Sequence, residues 1–271
     1  MSNRFFISGA TGGLGKAFAV ECGRRGWDLF LTDLDPIKLK VLSDGLNRSF
    51  SIESDFYPAD LTNTQSRENL FTILEKENIS FRGLINIAGR DFEGSFLDID
   101  RQQLRTIIRL NIEATMEITH FLLSQASPLT PFRVITVASL AAFYPMPIKA
   151  TYAASKRFLL NFSLALREEV REHNASVTVL CPAGLPTTQS TIESIEAQGF
   201  MGQLTTLDIG KVASLTLDAS MRGKAVVIPG FLNRMLMFAG NLIPSASLAR
   251  FIHHRWLVAK NRKSLQEKQF A

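Results

Sequence analysis

The sequence predicts an α/β fold: a doubly wound parallel sheet with helices on both faces. Three observations carry this. Short apolar runs alternate along the chain with longer stretches of helical character, the pattern of βαβ units. A glycine-rich turn joins the first run to the first helix. Polar residues of chemical interest fall at or just after the ends of the runs, which places them along one edge of the predicted sheet, where such folds bind ligands.

The chain opens with Arg4-Phe5-Phe6-Ile7-Ser8. Continuous apolarity marks a strand buried on both faces. Gly9-Ala10-Thr11-Gly12-Gly13-Leu14-Gly15 follows, and Lys16–Cys22 reads as helix. Strand, glycine turn and helix are the context of a dinucleotide fingerprint. Gly9 permits the tight turn, Gly13 clears the approach of a pyrophosphate, and Gly15 lets the helix pack close. The helix N-terminus then offers amides and partial positive charge to phosphates.

A second strand, Asp28–Asp33, ends in a carboxylate eighteen residues after Gly15. A carboxylate there accepts from ribose hydroxyls and repels a 2′-phosphate. Leu34 follows it, and no basic residue lies between Gly9 and Gly15, so NAD is favoured over NADP. Further strands are predicted at Gly83–Asn86, Arg133–Ala138, Ser176–Cys181 and Ala225–Pro229, and helices at Asn63–Glu77, Gln102–Gln125, Thr151–His173 and Asp208–Met221.

Tyr152 and Lys156 stand four residues apart, and Ser139 lies thirteen before the tyrosine. On a helix, i and i+4 share a face. An ammonium about 4 Å from a phenol at an effective dielectric near 20 favours the phenolate by ~4 kcal/mol, enough to draw its pKa towards neutrality. Such a tyrosine exchanges a proton with a carbonyl or alcohol oxygen, and the Ser139 hydroxyl is placed to hold that oxygen.

In order and spacing, these motifs resemble those of the short-chain dehydrogenases/reductases, single-domain Rossmann-type enzymes, from Phe5 to about Gly230. Gly9 to Gly15 matches the family's Gly-x-x-x-Gly-x-Gly. Asp60-Leu61 matches the acidic pair that contacts adenine. Asn86-Ile87-Ala88-Gly89 is similar to the Asn-Asn-Ala-Gly turn, with Ile87 for the second asparagine. Asn111 falls where the family orders a water beside its lysine. Pro182-Ala183-Gly184-Leu185-Pro186-Thr187 resembles the segment over the nicotinamide, with Ala183 for the usual glycine.

The resemblance implies Asn111, Ser139, Tyr152 and Lys156 as catalytic residues. It implies cofactor contacts at Gly9, Thr11, Gly12, Gly13, Leu14, Gly15, Asp33, Asp60, Leu61, Asn86, Ala88, Gly89, Tyr152, Lys156, Pro182, Leu185 and Thr187. The activity implied is hydride transfer between NAD and a secondary alcohol or ketone. A non-catalytic NAD-binding sensor and an epimerase or dehydratase on the same scaffold remain the alternatives. Relatives form homodimers or homotetramers through helices corresponding to Asn111–Gln125 and Thr151–His173.

The chain has 271 residues, 46% hydrophobic and 20% charged, ordinary for one globular α/β domain over residues 1–271. A strand begins within a few residues of the N-terminus, so no secretory signal is expected. Cys22 and Cys181 lack motif spacing and read as reduced, packed thiols in a cytoplasmic protein. His120, His173, His253 and His254 lack zinc-like spacing, so no metal is expected. Basic residues interleaved with aromatics do not form a nucleic-acid groove motif.

Residues 188–206 correspond to a substrate flap and carry Ile192, Ile195, Phe200 and Met201. Phe92, Phe143, Tyr144, Pro145 and Met146 are candidates to line an apolar pocket, which suits a hydrophobic steroid, retinoid or acyl-type substrate. Residues 231–271 form a variable helical extension. Phe231–Pro244 is unusually apolar, and Leu248–Lys263 mixes basic residues with Phe251, Ile252, Trp256, Leu257 and Val258. This composition suits peripheral contact with an anionic membrane; a lid or subunit-interface role is the competing reading.

Overall fold

The structure is a computed structural model that describes residues 3–186 and 206–256. Seven strands form one sheet in the order β3-β2-β1-β4-β5-β6-β7, with every pairing parallel. In chain order they are β1 (Arg4–Ser8), β2 (Asp28–Asp33), β3 (Ser54–Pro58), β4 (Gly83–Asn86), β5 (Phe132–Val137), β6 (Ala175–Leu180) and β7 (Val226–Val227). Strand order reverses between β1 and β4, the crevice where doubly wound sheets bind ligands.

Between the strands run α1 (Gly13–Arg24), α2 (Pro36–Ser49), α3 (Thr64–Lys76), α4 (Arg101–Ile108), α5 (Thr115–Ser124), α6 (Ala150–Glu169) and α7 (Ile209–Met221). α8 (Phe231–Leu242) follows β7, and residues 245–256 are helical. Side chains alternate across the pleat. Phe5, Ile7, Leu29 and Leu31 pack with Phe18 of α1, Leu39 of α2 and Leu217 of α7. Phe6 and Phe30 point the other way, to Leu70 of α3 and Ile118 of α5. Burial on both faces explains why the strands read as continuous apolar runs.

Three elements differ from the sequence expectation. The helix α2 was not foreseen, although Asp35 caps it by accepting from the amides of Ile37 at 3.0 Å and Lys38 at 3.1 Å, and Pro36 occupies its first turn. Its buried side consists of only Leu39, Ser43 and Leu46, too thin a stripe to announce a helix. The helix predicted over Gln102–Gln125 is interrupted by a π-helical segment, Arg109–Ala114, between α4 and α5. Here Arg67, fully buried on α3, pairs with Glu113 and, at 2.6 Å, with Glu117. The strand predicted at Ala225–Pro229 shrinks to Val226–Val227. Thr187 and the expected flap up to residue 205 lie outside the described residues, as does Leu257–Lys263 of the basic segment.

Candidate active site

The carboxyl edge of the sheet gathers the residues singled out above. Gly9 follows β1, Asp33 ends β2, Asp60 lies just past β3, Asn86 ends β4, Ser139 lies just past β5 and Pro182 just past β6.

The turn from β1 into α1 is a tight cradle. Gly9 has φ +68°, and a Cβ there would meet the Ala88 amide nitrogen at 2.7 Å. A Cβ on Gly15 would meet the Gly9 carbonyl oxygen at 2.1 Å. Gly12 caps α1 without a side chain, so the first amides of the helix are left for a ligand. This backbone fits a phosphate group. Asp33 closes the cradle: its Oδ2 accepts from the Thr11 amide at 2.8 Å and hydroxyl at 2.7 Å, and its Oδ1 accepts from the Leu34 amide at 2.7 Å. A carboxylate offers about four acceptor positions, which leaves one for a further donor.

The other residues assigned to cofactor contact divide by burial. Asp60 is exposed, with Oδ1 accepting from the Thr62 amide at 2.9 Å and hydroxyl at 2.7 Å. Leu61 and Leu185 are buried in the core, so any ligand contact from them is through the backbone; the Leu61 carbonyl already accepts from Arg67. Asn86 is buried and donates to the Thr119 hydroxyl at 2.9 Å. Gly89 is exposed, and a Cβ on it would lie 3.3 Å from both Asn111 Oδ1 and Lys156 Nζ. Ala88 and Gly89 therefore link the cradle to the lysine.

Ser139 starts a 3-10 turn, Leu140–Phe143, its Oγ accepting from the Ala141 amide at 3.1 Å. The same hydroxyl hydrogen-bonds the phenol of Tyr152. Tyr152 and Lys156 lie on consecutive turns of α6, with Lys156 Nζ 5.8 Å from the tyrosine ring centroid. Lys156 is buried, donating to the Val137 carbonyl at 2.8 Å. Asn111, in the π-helical segment, accepts from the Arg90 amide at 2.8 Å. Its Nδ2 donates to the Arg90 carbonyl at 3.0 Å and Ser155 Oγ at 2.9 Å. The Asn111 side chain thus positions the loop after β4 against α6.

The electrostatics correct one expectation. Lys156 was expected to pull the phenol down. Burial instead pushes Tyr152 up to about 12, with the Asp91 carboxylate adding to the rise. Burial also lowers Lys156 to about 8, opposed by Asp91. Desolvation thus disfavours the charged form of each group and works against the attraction between ammonium and phenolate. The cation that keeps its charge is Lys149. It pairs with Asp91 at 2.5 Å and Glu93 at 3.0 Å, and lies 5.8 Å from the Tyr152 centroid.

Lys149, Asp91 and Glu93 were missed in the sequence. The available signal was that Lys149 precedes Tyr152 by three residues, an i, i+3 spacing. Its neighbour Ile148 has φ +62°, and its carbonyl accepts from the Gly94 amide at 2.8 Å. A β-branched residue in the left-handed region is strained, and this bond together with the ion pairs holds it there. Cys181, also unassigned, is buried beside Lys156, accepts from the Ser139 amide, and has its thiol pushed up by burial to about 12.

Of the expected pocket-lining residues, Phe143 packs into the core and the Tyr144 ring lies under α8, where a Cβ on Gly240 would meet it at 3.0 Å. The Phe92 ring lies over Gly94. Among the described residues, no group of His, Cys, Asp and Glu is arranged to hold a metal ion.

A family model described as short chain dehydrogenase matches residues 3–198. A very-long-chain 3-oxoacyl-CoA reductase of Vanderwaltozyma polyspora is 30% identical over 188 residues, 66% of this chain and 54% of that protein. Hydroxysteroid dehydrogenase-like protein 1 of Gallus gallus is 29% identical over 181 residues, 65% of this chain and 54% of that protein. The chain spans about half the length of these curated relatives. A solved 7beta-hydroxysteroid dehydrogenase structure has a TM-score of 0.84 at 20% identity, covering 93% of this chain and 96% of that one. A short-chain dehydrogenase from Sphingobium yanoikuyae in complex with NADPH has a TM-score of 0.75 at 24% identity, with 88% and 92% covered. At these identities the likeness is one of fold.

Proposed function

The chain belongs to the short chain dehydrogenase family, and from that premise we propose that it reduces a hydrophobic ketone to a secondary alcohol with a nicotinamide cofactor. The observation that supports this most directly is the grouping of the Tyr152 phenol with the Ser139 hydroxyl and Lys156 at the carboxyl edge of the sheet. A phenol pushed up to about 12 keeps its proton at neutral pH, which suits a donor.

The cradle fits a dinucleotide by the crowding that a Cβ would cause at Gly9 and Gly15 and by the amides at the start of α1. In this reading Thr11 to Gly15 hold the pyrophosphate, while Asp33 and Asp60 face the adenosine. Asn86, Ala88, Gly89, Pro182 and Leu185 border the nicotinamide half. When bound, the nicotinamide supplies the hydride donor or acceptor.

The chain's own residues govern the oxygen and its proton. Ser139 Oγ positions the carbonyl oxygen beside Tyr152. As negative charge grows on that oxygen, the Tyr152 O–H gives it the proton, a general-acid step typically worth ~10²–10⁴-fold. Lys156 stabilises the phenolate left behind and holds a ribose hydroxyl. Asn111 keeps the Arg90 loop in register with Ser155, and so with the catalytic turn of α6.

Asp33 makes NAD the preferred cofactor. The substrate is of steroid, retinoid or acyl type, in keeping with the names of the curated relatives. The protein assembles as a homodimer or homotetramer through α5 and α6, whose outer faces expose Met116, Phe158 and Leu164. It works in the cytoplasm with its C-terminal segment against a membrane. A panel of ketones and alcohols, followed by nicotinamide absorbance with both cofactors, tests the reading. Reduction of a bulky apolar ketone supports it; inertness towards the whole panel would overturn it.

A further inference from the structure

We propose that α8 and the helical residues 245–256 form a docking face for an anionic membrane surface. The apolar side of α8 points to solvent. Phe231, Met235, Phe238 and Leu242 are spaced by four, three and four residues, one stripe of a helix. Their relative exposures are 72%, 52%, 66% and 72%. Phe251 in the next helix adds 60%. Isolated exposed apolar residues are ordinary, but a continuous stripe of this size marks an interaction surface.

Charge selects the partner. Residues 219–266 contain eight Lys and Arg and no Asp or Glu. With a whole-chain charge of +5, the rest of the protein is therefore net −3. Arg234, Arg250, His253, His254 and Arg255 are exposed beside the stripe. A second copy of this face would bring two net-basic surfaces together, with no acidic residue in 219–266 to offset them. A bilayer leaflet rich in anionic headgroups accepts both the apolar stripe and the cations. The 12 residues of α8 are too few to cross a bilayer. Among the described residues no helix is long and apolar enough to do so. The geometry is that of a helix lying in the interface.

The docking face backs onto the candidate acid site. Gly240 of α8 lies on the Tyr144 ring, directly after the 3-10 turn that Ser139 begins. A ketone dissolved in the membrane would thus reach the site from its own solvent; this clause rests on the reductase reading, whereas the docking does not.

The test is flotation of the full chain with phosphatidylcholine vesicles, with and without about one-third phosphatidylserine. Turnover of a water-soluble ketone is assayed in parallel. The expected result is flotation with the anionic vesicles, weakened but not abolished by salt, which screens the cations and not the apolar insertion. Two double variants, Phe231→Ser with Phe238→Ser and Arg234→Glu with Arg250→Glu, are each expected to reduce partitioning by about tenfold or more. Both change exposed residues, so turnover of the soluble ketone should stay within about twofold. Wild-type protein that stays in solution with anionic vesicles overturns the proposal. So does a Phe231/Phe238 variant that floats unchanged, or one that fails to float only because a wild-type oligomer has dissociated. Flotation without any ketone turnover would leave the docking standing and remove the reductase reading.

Discussion

In the proposed reading Asp33 favours NAD over NADP, and its geometry lets the effect of removing it be worked out. For a 2′-phosphate charge, a separation of ~5 Å from the carboxylate sets the scale of the repulsion. At an effective dielectric near 20, each phosphate charge is repelled there by ~3 kcal/mol. Asp33 is only half-buried, so solvent screening reduces this to about one or two powers of ten in affinity. The carboxylate also has a structural duty, since it accepts from the Thr11 amide and hydroxyl and from the Leu34 amide. Asp33→Ala strands those donors, at a cost of ~1–3 kcal/mol in stability, whereas Asp33→Asn removes the charge and keeps one acceptor. Asp33→Asn is thus expected to narrow the NAD-over-NADP ratio by about tenfold with little change in Tm. Asp33→Ala with Leu34→Arg should reverse the ratio, because a guanidinium pairs bidentately with phosphate, and should lower Tm. Fluorescence titration with both reduced cofactors, alongside thermal melts, reads both effects. Tighter NADPH binding by the unaltered protein, or an unchanged ratio in Asp33→Asn, refutes the reasoning.

Two further predictions concern protons. Lys156 is charged below about 8 and neutral above it, while Tyr152 keeps its proton up to about 12. For ketone reduction, kcat/KM should therefore be level near neutrality and fall as pH rises through about 8; a fall beginning only near 12 would show that the lysine charge is not needed. The Asp91–Lys149–Glu93 cluster tunes that limb. Asp91 raises the Lys156 pKa, so Asp91→Asn should move the limb to lower pH. Lys149→Met leaves Asp91 without its partner and should move the limb higher, with Lys149→Arg restoring it. Limbs that coincide in all three variants would reduce the cluster to a structural role.

Much of the fold was legible because parallel strands buried on both faces are continuous apolar runs, and Phe5 to Ile7 and Leu29 to Leu31 show this plainly. The grouping of Ser139, Tyr152 and Lys156 was legible because two of them share a helix face and the third follows a strand end. Tertiary structure decided the rest. The π-helical turn at Arg109–Ala114 comes where Asn111 reaches Arg90 and Glu113 reaches the buried Arg67, contacts that span tens of residues. The ion pair of Lys149 with Asp91 joins residues 58 apart, beyond any local spacing rule. Above all, spacing gives proximity and not desolvation. It put an ammonium near a phenol, but could not show that the lysine is buried and the tyrosine half-buried, with desolvation disfavouring the charged form of each.

The most direct test of the central claim is single-turnover reduction of a bulky apolar ketone by the wild type and by Tyr152→Phe, with cofactor binding measured on both. The variant removes one oxygen from a half-buried ring and should leave both cofactor affinity and Tm nearly unchanged. Its rate should fall by at least the ~10²–10⁴-fold typical of a general acid. A variant that binds cofactor normally and reduces the ketone at close to the wild-type rate would contradict the assignment of Tyr152 as the proton donor.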